Sequence, residues 1–186
     1  MQPLILNGTP LALDIIHQVA HDAHSFHIQL DPSCVKKVAF ARQYVLHLAQ
    51  GNAPVYGINT GISSVAAQKI DFADIEQLQY NIARSHCAGV GRALPRHLVR
   101  AMMLIRANCL AKGNSGIDPS IIDLILAFLH HDITPVVLEQ GSVGASGDLA
   151  PLAQIALALI GEGEVEFKQQ IMPTAEALAQ CKLSPA

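Results

Sequence analysis

The sequence has no tryptophan, and aromatic residues fill only 4% of its 186 positions. Its apolar content is therefore mostly Ala, Leu, Ile and Val, which favours helices packed closely on one another. Charge is also scarce: 15% of residues are charged against 51% hydrophobic, and mean hydropathy is positive. That balance predicts apolar surface buried against something else. No basic run is present and the formal net charge is -3, so a nucleic-acid interface, which needs clustered Lys and Arg, is not expected. No apolar run reaches membrane-spanning length; Leu152 to Ile160 is too short and runs into Gly161-Glu162-Gly163-Glu164. The N-terminus lacks a basic start followed by a long apolar stretch, so no secretion signal is expected. Cys34, Cys87, Cys109 and Cys181 form no C-x-x-C pair, which speaks against a cysteine metal site and for reduced thiols in a cytoplasm. Repeats and linkers are missing too. The length is ample for one core and short for two, so one mainly α domain is expected over residues 1–186.

The pattern along the chain fills in that outline. Pro3 to Asn7 reads as a short strand or arm and Leu11 to Ala20 as a short helix. Ser25-Phe26-His27 reads as the approach to a turn. Asp31-Pro32 starts a helix, with a carboxylate cap and proline in the first turn; apolar residues then recur at helical spacing to Gln50. Gly51-Asn52-Ala53-Pro54 breaks it, and the stretch to Ile70 reads as a long ordered loop, a type that is usually functional or disordered. Asp74 is the expected cap of a helix to Ser85. Pro95 opens another to Ala111, closed by Lys112-Gly113. Asp118-Pro119 repeats the cap-and-proline start. Pro135 to Leu138 is expected to be extended, and a helix from Asp148 to Ile160 follows. Glu164 to Phe167 and Gln170 to Met172 form an expected small β-hairpin, and Pro173 opens a last helix.

Chemistry concentrates in Gly141-Ser142-Val143-Gly144-Ala145-Ser146-Gly147, three glycines and two serines in seven positions. Such a cluster marks a special turn. No side chain on Gly147 blocks its amide nitrogen from attacking the Ala145 carbonyl carbon. Closure with loss of water, and dehydration of Ser146, would leave an exocyclic methylene on a five-membered ring. The plain alternatives are a helix start capped by Ser146 or Asp148, with Pro151 in the first turn, or a nest of amides for an anion. A nucleophile elbow needs G-x-S-x-G, and here Gly147 directly follows Ser146. A phosphate-binding P-loop fails because no Gly-Lys-Ser/Thr ends the segment.

Three other groups need weighing. Tyr56 lies among Gly57, Asn59, Thr60 and Gly61, which bury little apolar surface, so it is not simple core packing. Ser85-His86 stands near a helix end, where a histidine is commonly a cap or a satisfied partner. His17, His21, His24 and His27 could share one helix face, yet no carboxylate or cysteine completes a metal set, and no metal is expected. His130-His131 at a helix end suits the helix dipole, and Glu162 and Glu164 read as solvated.

The glycine-serine segment resembles the signature of the aromatic amino acid ammonia-lyases and aminomutases, in which an Ala-Ser-Gly triplet becomes 4-methylidene-imidazol-5-one (MIO). Val55-Tyr56-Gly57-Ile58-Asn59-Thr60-Gly61 resembles that family's tyrosine loop. Leu78-Gln79-Tyr80-Asn81 through Ser85-His86-Cys87-Ala88-Gly89-Val90-Gly91 resembles its substrate-pocket segment. The matches occur in family order over roughly residues 50 to 163. The resemblance implies the helical N-terminal domain of the ammonia-lyase fold (fumarase/aspartase-like superfamily), with long ordered loops. It implies MIO formed from Ala145, Ser146 and Gly147, with no external cofactor, and Tyr56 as the base that takes the β proton. It makes Gly61, Ser85 and His86 substrate-binding, with Asp148 and Asn59 in support. Ser85-His86 followed by Ala-Gly-Val-Gly looks most like histidine ammonia-lyases, which convert L-histidine to urocanate. Tyrosine ammonia-lyase or 2,3-aminomutase chemistry is the alternative. Where the family commonly reads Thr-Gly-Phe-Gly, this chain has Thr60-Gly61-Ile62-Ser63, a change in the pocket wall.

Members of the family are several hundred residues long and assemble as homotetramers. The chain thus resembles an N-terminal portion, without the later carboxylate-holding groups and the long bundle helices. That implies inactivity in isolation and self-association. Two other classes remain: a non-catalytic fragment or subunit of a split enzyme, and a small serine hydrolase built on Ser146, which the elbow spacing disfavours.

Overall fold

Two strands far apart in sequence open the fold. β1 (Gln2–Leu6) pairs in parallel with β2 (Phe26–Leu30), Gln2 beside Phe26 and Leu6 beside Leu30. A parallel pair needs a crossover, here α1 (Leu13–His21) and a 3-10 turn at Ala23–Ser25. Phe26-His27 is therefore not the approach to a turn. Phe26 and Ile28 bury while His27 and Gln29 face out, the period-two alternation of a half-buried strand. The computed structural model describes residues 1–62, 65–142 and 149–186.

Helix α2 (Pro32–Gln50) starts as its sequence predicts: Asp31 Oδ1 accepts from the Ser33 amide at 2.8 Å, with Pro32 in the first turn. An irregular stretch leads to α3 (Ile75–His86). Asp74 precedes α3, but its side chain makes no cap hydrogen bond, because a 3-10 turn at Phe72–Asp74 already runs into the helix. β3 (Val90–Ala93), a strand that the sequence pattern did not reveal, leads into α4 (Arg96–Leu110). α5 (Pro119–His131) again starts on a carboxylate cap, Asp118 accepting from the Ser120 amide at 3.0 Å.

The extended run after α5 makes two strands, β4 (Thr134–Pro135) and β5 (Leu138–Gln140). β5 pairs antiparallel with β3 across an irregular register. α6 (Leu149–Leu159) is followed by the expected hairpin, β6 (Glu164–Phe167) and β7 (Gln170–Pro173), and β6 also pairs with β4. α7 (Thr174–Cys181) comes last.

The core is centred on α4 and α5. Met103, Leu104, Ile122, Ile125 and Leu129 are buried almost completely, with Leu6, Val19 and Val38 packed in from β1, α1 and α2. Each such side chain contributes roughly 1.5–3 kcal/mol. Polar ties anchor the periphery. Asn108 of α4 accepts from the Gly8 amide at 3.0 Å and donates to the Thr9 carbonyl at 2.8 Å, fixing the chain after β1. α3 differs from its neighbours: it lies against α6, yet none of its residues is fully buried.

Candidate active site

The loop after α2 is organised by one buried side chain. Asn59 is fully buried. Its Oδ1 accepts from the Val55 amide at 2.7 Å, and its Nδ2 faces the carbonyls of Ala53 (3.0 Å), Leu48 (3.3 Å) and Gly51 (3.3 Å). The amide thus ties the loop to the end of α2, where carbonyls lack helical partners. The backbone turns back on itself as well, with Ile58 and Asn59 amides donating to the Val55 carbonyl. Tyr56 sits in that turn, 63% exposed, and Gly57 adopts a left-handed φ of 74° behind it. The ring is therefore carried on a braced turn and turned away from the core.

Gly61 closes the loop. Its amide donates to the Gln68 carbonyl at 2.9 Å, and Thr60 bridges to Lys69. A Cβ on Gly61 would stand 2.4 Å from the Val65 carbonyl oxygen, so no side chain fits without moving the backbone. Buried Thr60 donates to the Gly61 carbonyl at 2.9 Å.

The end of α3 presents Ser85 and His86. His86 Nδ1 lies 2.8 Å from the Ile82 carbonyl and 3.1 Å from Ser85 Oγ. A carbonyl can only accept, so Nδ1 carries the hydrogen, and in a neutral ring Nε2 is left as an acceptor. The helix end is clamped from outside. Arg84 donates through two nitrogens to Glu162, Nε lying 3.0 Å from Oε2. Glu162 is thus paired and not merely solvated. Hydrogen bonding from Arg84 lowers the Glu162 carboxyl pKa, and burial and the Glu162 charge raise that of the Cys87 thiol.

The segments on either side of the Ala145-Ser146-Gly147 triplet meet this helix end. A Cβ on Gly141 would stand 2.9 Å from that of Ala150 and 3.0 Å from the Gly89 Cα. Gly89, three residues after His86, is itself packed against Gln154 and Leu138. Gln154 Oε1 accepts from the Leu138 amide at 2.9 Å, pinning β5 to α6. The triplet and Asp148 lie outside the described residues. Tyr56, Asn59 and Gly61 are therefore brought together on one loop, and Ser85 and His86 on one helix end beside the triplet's flanks.

Sequence reasoning missed Gln154 and the Arg84–Glu162 clamp. Gln154 carried a signal, being the lone polar residue inside the apolar run Leu152 to Ile160. The clamp joins residues 78 positions apart, which no local pattern announces. His130 also differs from its expected role. Its Nε2 accepts from the Ile28 amide at 3.2 Å, so it is a neutral strand anchor and not a charge on the helix dipole.

Solved structures share this architecture over the whole chain. Ergothionase from Treponema denticola superimposes with a TM-score of 0.94 and 32% identity over 100% of this chain and 37% of its own. Tyrosine aminomutase from Streptomyces globisporus gives 0.90 and 33%, over 99% of this chain and 34% of its own. The fold defines the class: the chain has the architecture of the matching third of these enzymes. The chain belongs to the aromatic amino acid lyase family, whose pattern matches residues 11–186. Histidine ammonia-lyase from Stigmatella aurantiaca is 47% identical over 98% of this chain and 35% of its own length. The chain thus spans about a third of the length of the curated relatives it matches.

Proposed function

We propose that the chain is the N-terminal portion of a histidine ammonia-lyase, which removes ammonia from L-histidine to leave urocanate. The observation that carries this is the identity to histidine ammonia-lyase over nearly the whole chain. His86 supports it chemically, because an Nε2 held as an acceptor suits the ring N–H of a substrate imidazole.

Ala145, Ser146 and Gly147 supply every atom of MIO, and their flanks fit it. Gly141, packed against Ala150 and Gly89, admits no side chain at the entrance to the segment. The ring supplies an electrophile that turns the substrate amine into a leaving group, and no external cofactor or metal is needed. Tyr56 takes the β proton. A free phenol has a pKa of about 10, so the base has to be activated by its surroundings to act near neutral pH. Asn59 holds the turn that carries Tyr56, and Gly61, packed too closely on Val65 to carry a side chain, keeps the loop's backbone in place beside the substrate. Ser85 sets the His86 ring, and Asp148 supports the triplet. The complete protein is a cytoplasmic homotetramer on this reading. The exposed rings of Phe40 and Tyr44, one turn apart on α2, are surface for such contacts. Among the described residues no helix is long and apolar enough to cross a membrane.

Two measurements test this. Intact mass with peptide mapping should show the triplet lighter by two water molecules. An unmodified triplet in protein that turns over histidine would sink the ring. With the full length of its relatives present, the protein should form urocanate from histidine, and Tyr56→Phe should lower that rate by at least roughly 100-fold. Coumarate or β-tyrosine formed from tyrosine would replace the substrate assignment. No turnover of any aromatic amino acid would leave a non-catalytic fragment or a subunit of a split enzyme.

A further inference from the structure

Three chain reversals meet at one open cleft formed by residues outside the tyrosine loop and the triplet. The end of α5 brings Asp132, the β6–β7 turn Lys168 and the end of α7 Lys182, with His24 and His131 on the same lining. Asp132 (φ 64°), Lys168 (φ 52°) and Lys182 (φ 55°) all have left-handed backbone, and Gln169 (φ 63°) adjoins Lys168. Among the described residues these four are the non-glycine residues with that geometry. Elsewhere the same geometry falls to glycine, as at Gly113 after α4 and Gly161 after α6. Glycine accepts it without a Cβ penalty and is the usual residue after a helix and in a tight hairpin turn. A fold that needs only the turn gains nothing from lysine there, whereas strained non-glycine residues gather at ligand sites.

Charge points the same way. Asp132 is engaged by Arg96 and Arg100, with His24 Nε2 3.8 Å from its other oxygen, and Arg96 also reaches Glu166 at 3.6 Å. The two cleft lysines therefore stand as surplus positive charge on a chain whose net charge is -3. Lys168 is already directed: its ammonium donates to Gln180 Oε1 at 3.1 Å and lies 4.8 Å from the Phe167 ring centroid. Two of its three hydrogens are left to give.

We propose that this cleft binds a small dianion of the phosphate or phosphate-monoester class, held by Lys168 and Lys182, with the His131 ring as a further donor and His24 shielding the Asp132 carboxylate from the anion. The site is independent of the ammonia-lyase reaction. The probe is inorganic phosphate, titrated into the purified protein against chloride at constant ionic strength and followed by amide and histidine-ring NMR. The expected result is saturable shifts at Lys168, Gln169, Lys182 and the two histidine rings, with amides of the tyrosine loop unmoved. A double variant, Lys168→Gly with Lys182→Gly, should melt at a higher temperature and bind phosphate at least about tenfold more weakly. Lys168→Asn with Lys182→Asn, also tolerant of left-handed backbone, serves if the glycines loosen the turns. Glycerol phosphate in place of inorganic phosphate separates the two sources: tighter binding identifies a monoester site and equal binding a phosphate site. No saturable shift in the parent protein, or unchanged affinity in a folded double variant, overturns the proposal.

Discussion

Asn59 and Val55 hold each other twice. The Val55 amide donates to Asn59 Oδ1 at 2.7 Å, and the Asn59 amide donates to the Val55 carbonyl at 3.2 Å. Tyr56 is carried between them, so the position of the phenol depends on an amide three residues away.

Asn59→Ala would leave the Val55 amide and several carbonyls without this partner in a buried site. The expected cost is about 2–3 kcal/mol in chemical denaturation. Limited proteolysis should then cut the 51–62 stretch first. An unchanged midpoint with unchanged protease resistance would show that the loop stands without Asn59.

Gly61→Ala should act on the same loop by another route. The added methyl meets a backbone oxygen, which cannot swing aside as a side chain can. The predicted loss is about 1–3 kcal/mol, with NMR shifts spreading from Thr60 to Lys69. Wild-type stability and spectra would mean that the loop relaxes freely.

Asp132 is predicted to be the most sensitive carboxylate. Arg100, 4% exposed, depends on it for a counter-charge. Burial raises the Asp132 pKa, but hydrogen bonding and charge from Arg96 and charge from Arg100 outweigh that and hold it below the ordinary value. Its contribution is therefore complete above a pH of about 4 and is lost as pH falls through the lower folded-state value. Asp132→Ala should cost about 3 kcal/mol at neutral pH, because a buried guanidinium is left uncompensated. The loss should shrink in acid. A pH-independent difference would contradict the ion-pair account.

Much of the fold was legible because it is local. Asp31-Pro32 and Asp118-Pro119 announced their helices, and both carboxylates cap as expected. The hairpin from Glu164 to Pro173 was also readable, since two short apolar segments flank a tight turn. The β1–β2 and β3–β5 pairs were not, since each depends on strands far apart in the chain. Of the site, Tyr56 and Ser85-His86 stood out as motifs. The side chains that brace them, Gln154 and Glu162, act across long sequence separations and show only in three dimensions.

His130 should give stability a second slope with pH. Burial, then His27, His131 and His24, lower its pKa, and its neutral Nε2 accepts from the Ile28 amide. The unfolded chain thus binds this proton more readily. Stability should be full above a pH of about 6.5 and decline as pH falls toward the folded-state value. His130→Gln should flatten that decline in a series of melts, and a slope unaltered by the change would assign it elsewhere.

The ties between Asn108 and residues 8 and 9 carry a consequence for synthesis. Residues 8 and 9 are fastened by a side chain made about a hundred residues later. At roughly 5–20 residues per second on the ribosome, that interval is several seconds or more. During it, Gln2 to Thr9 can find β2 but not its final anchor. Residues 8 and 9 are thus translated well before they are fastened, which leaves this edge open to chaperones and to proteases on the nascent chain.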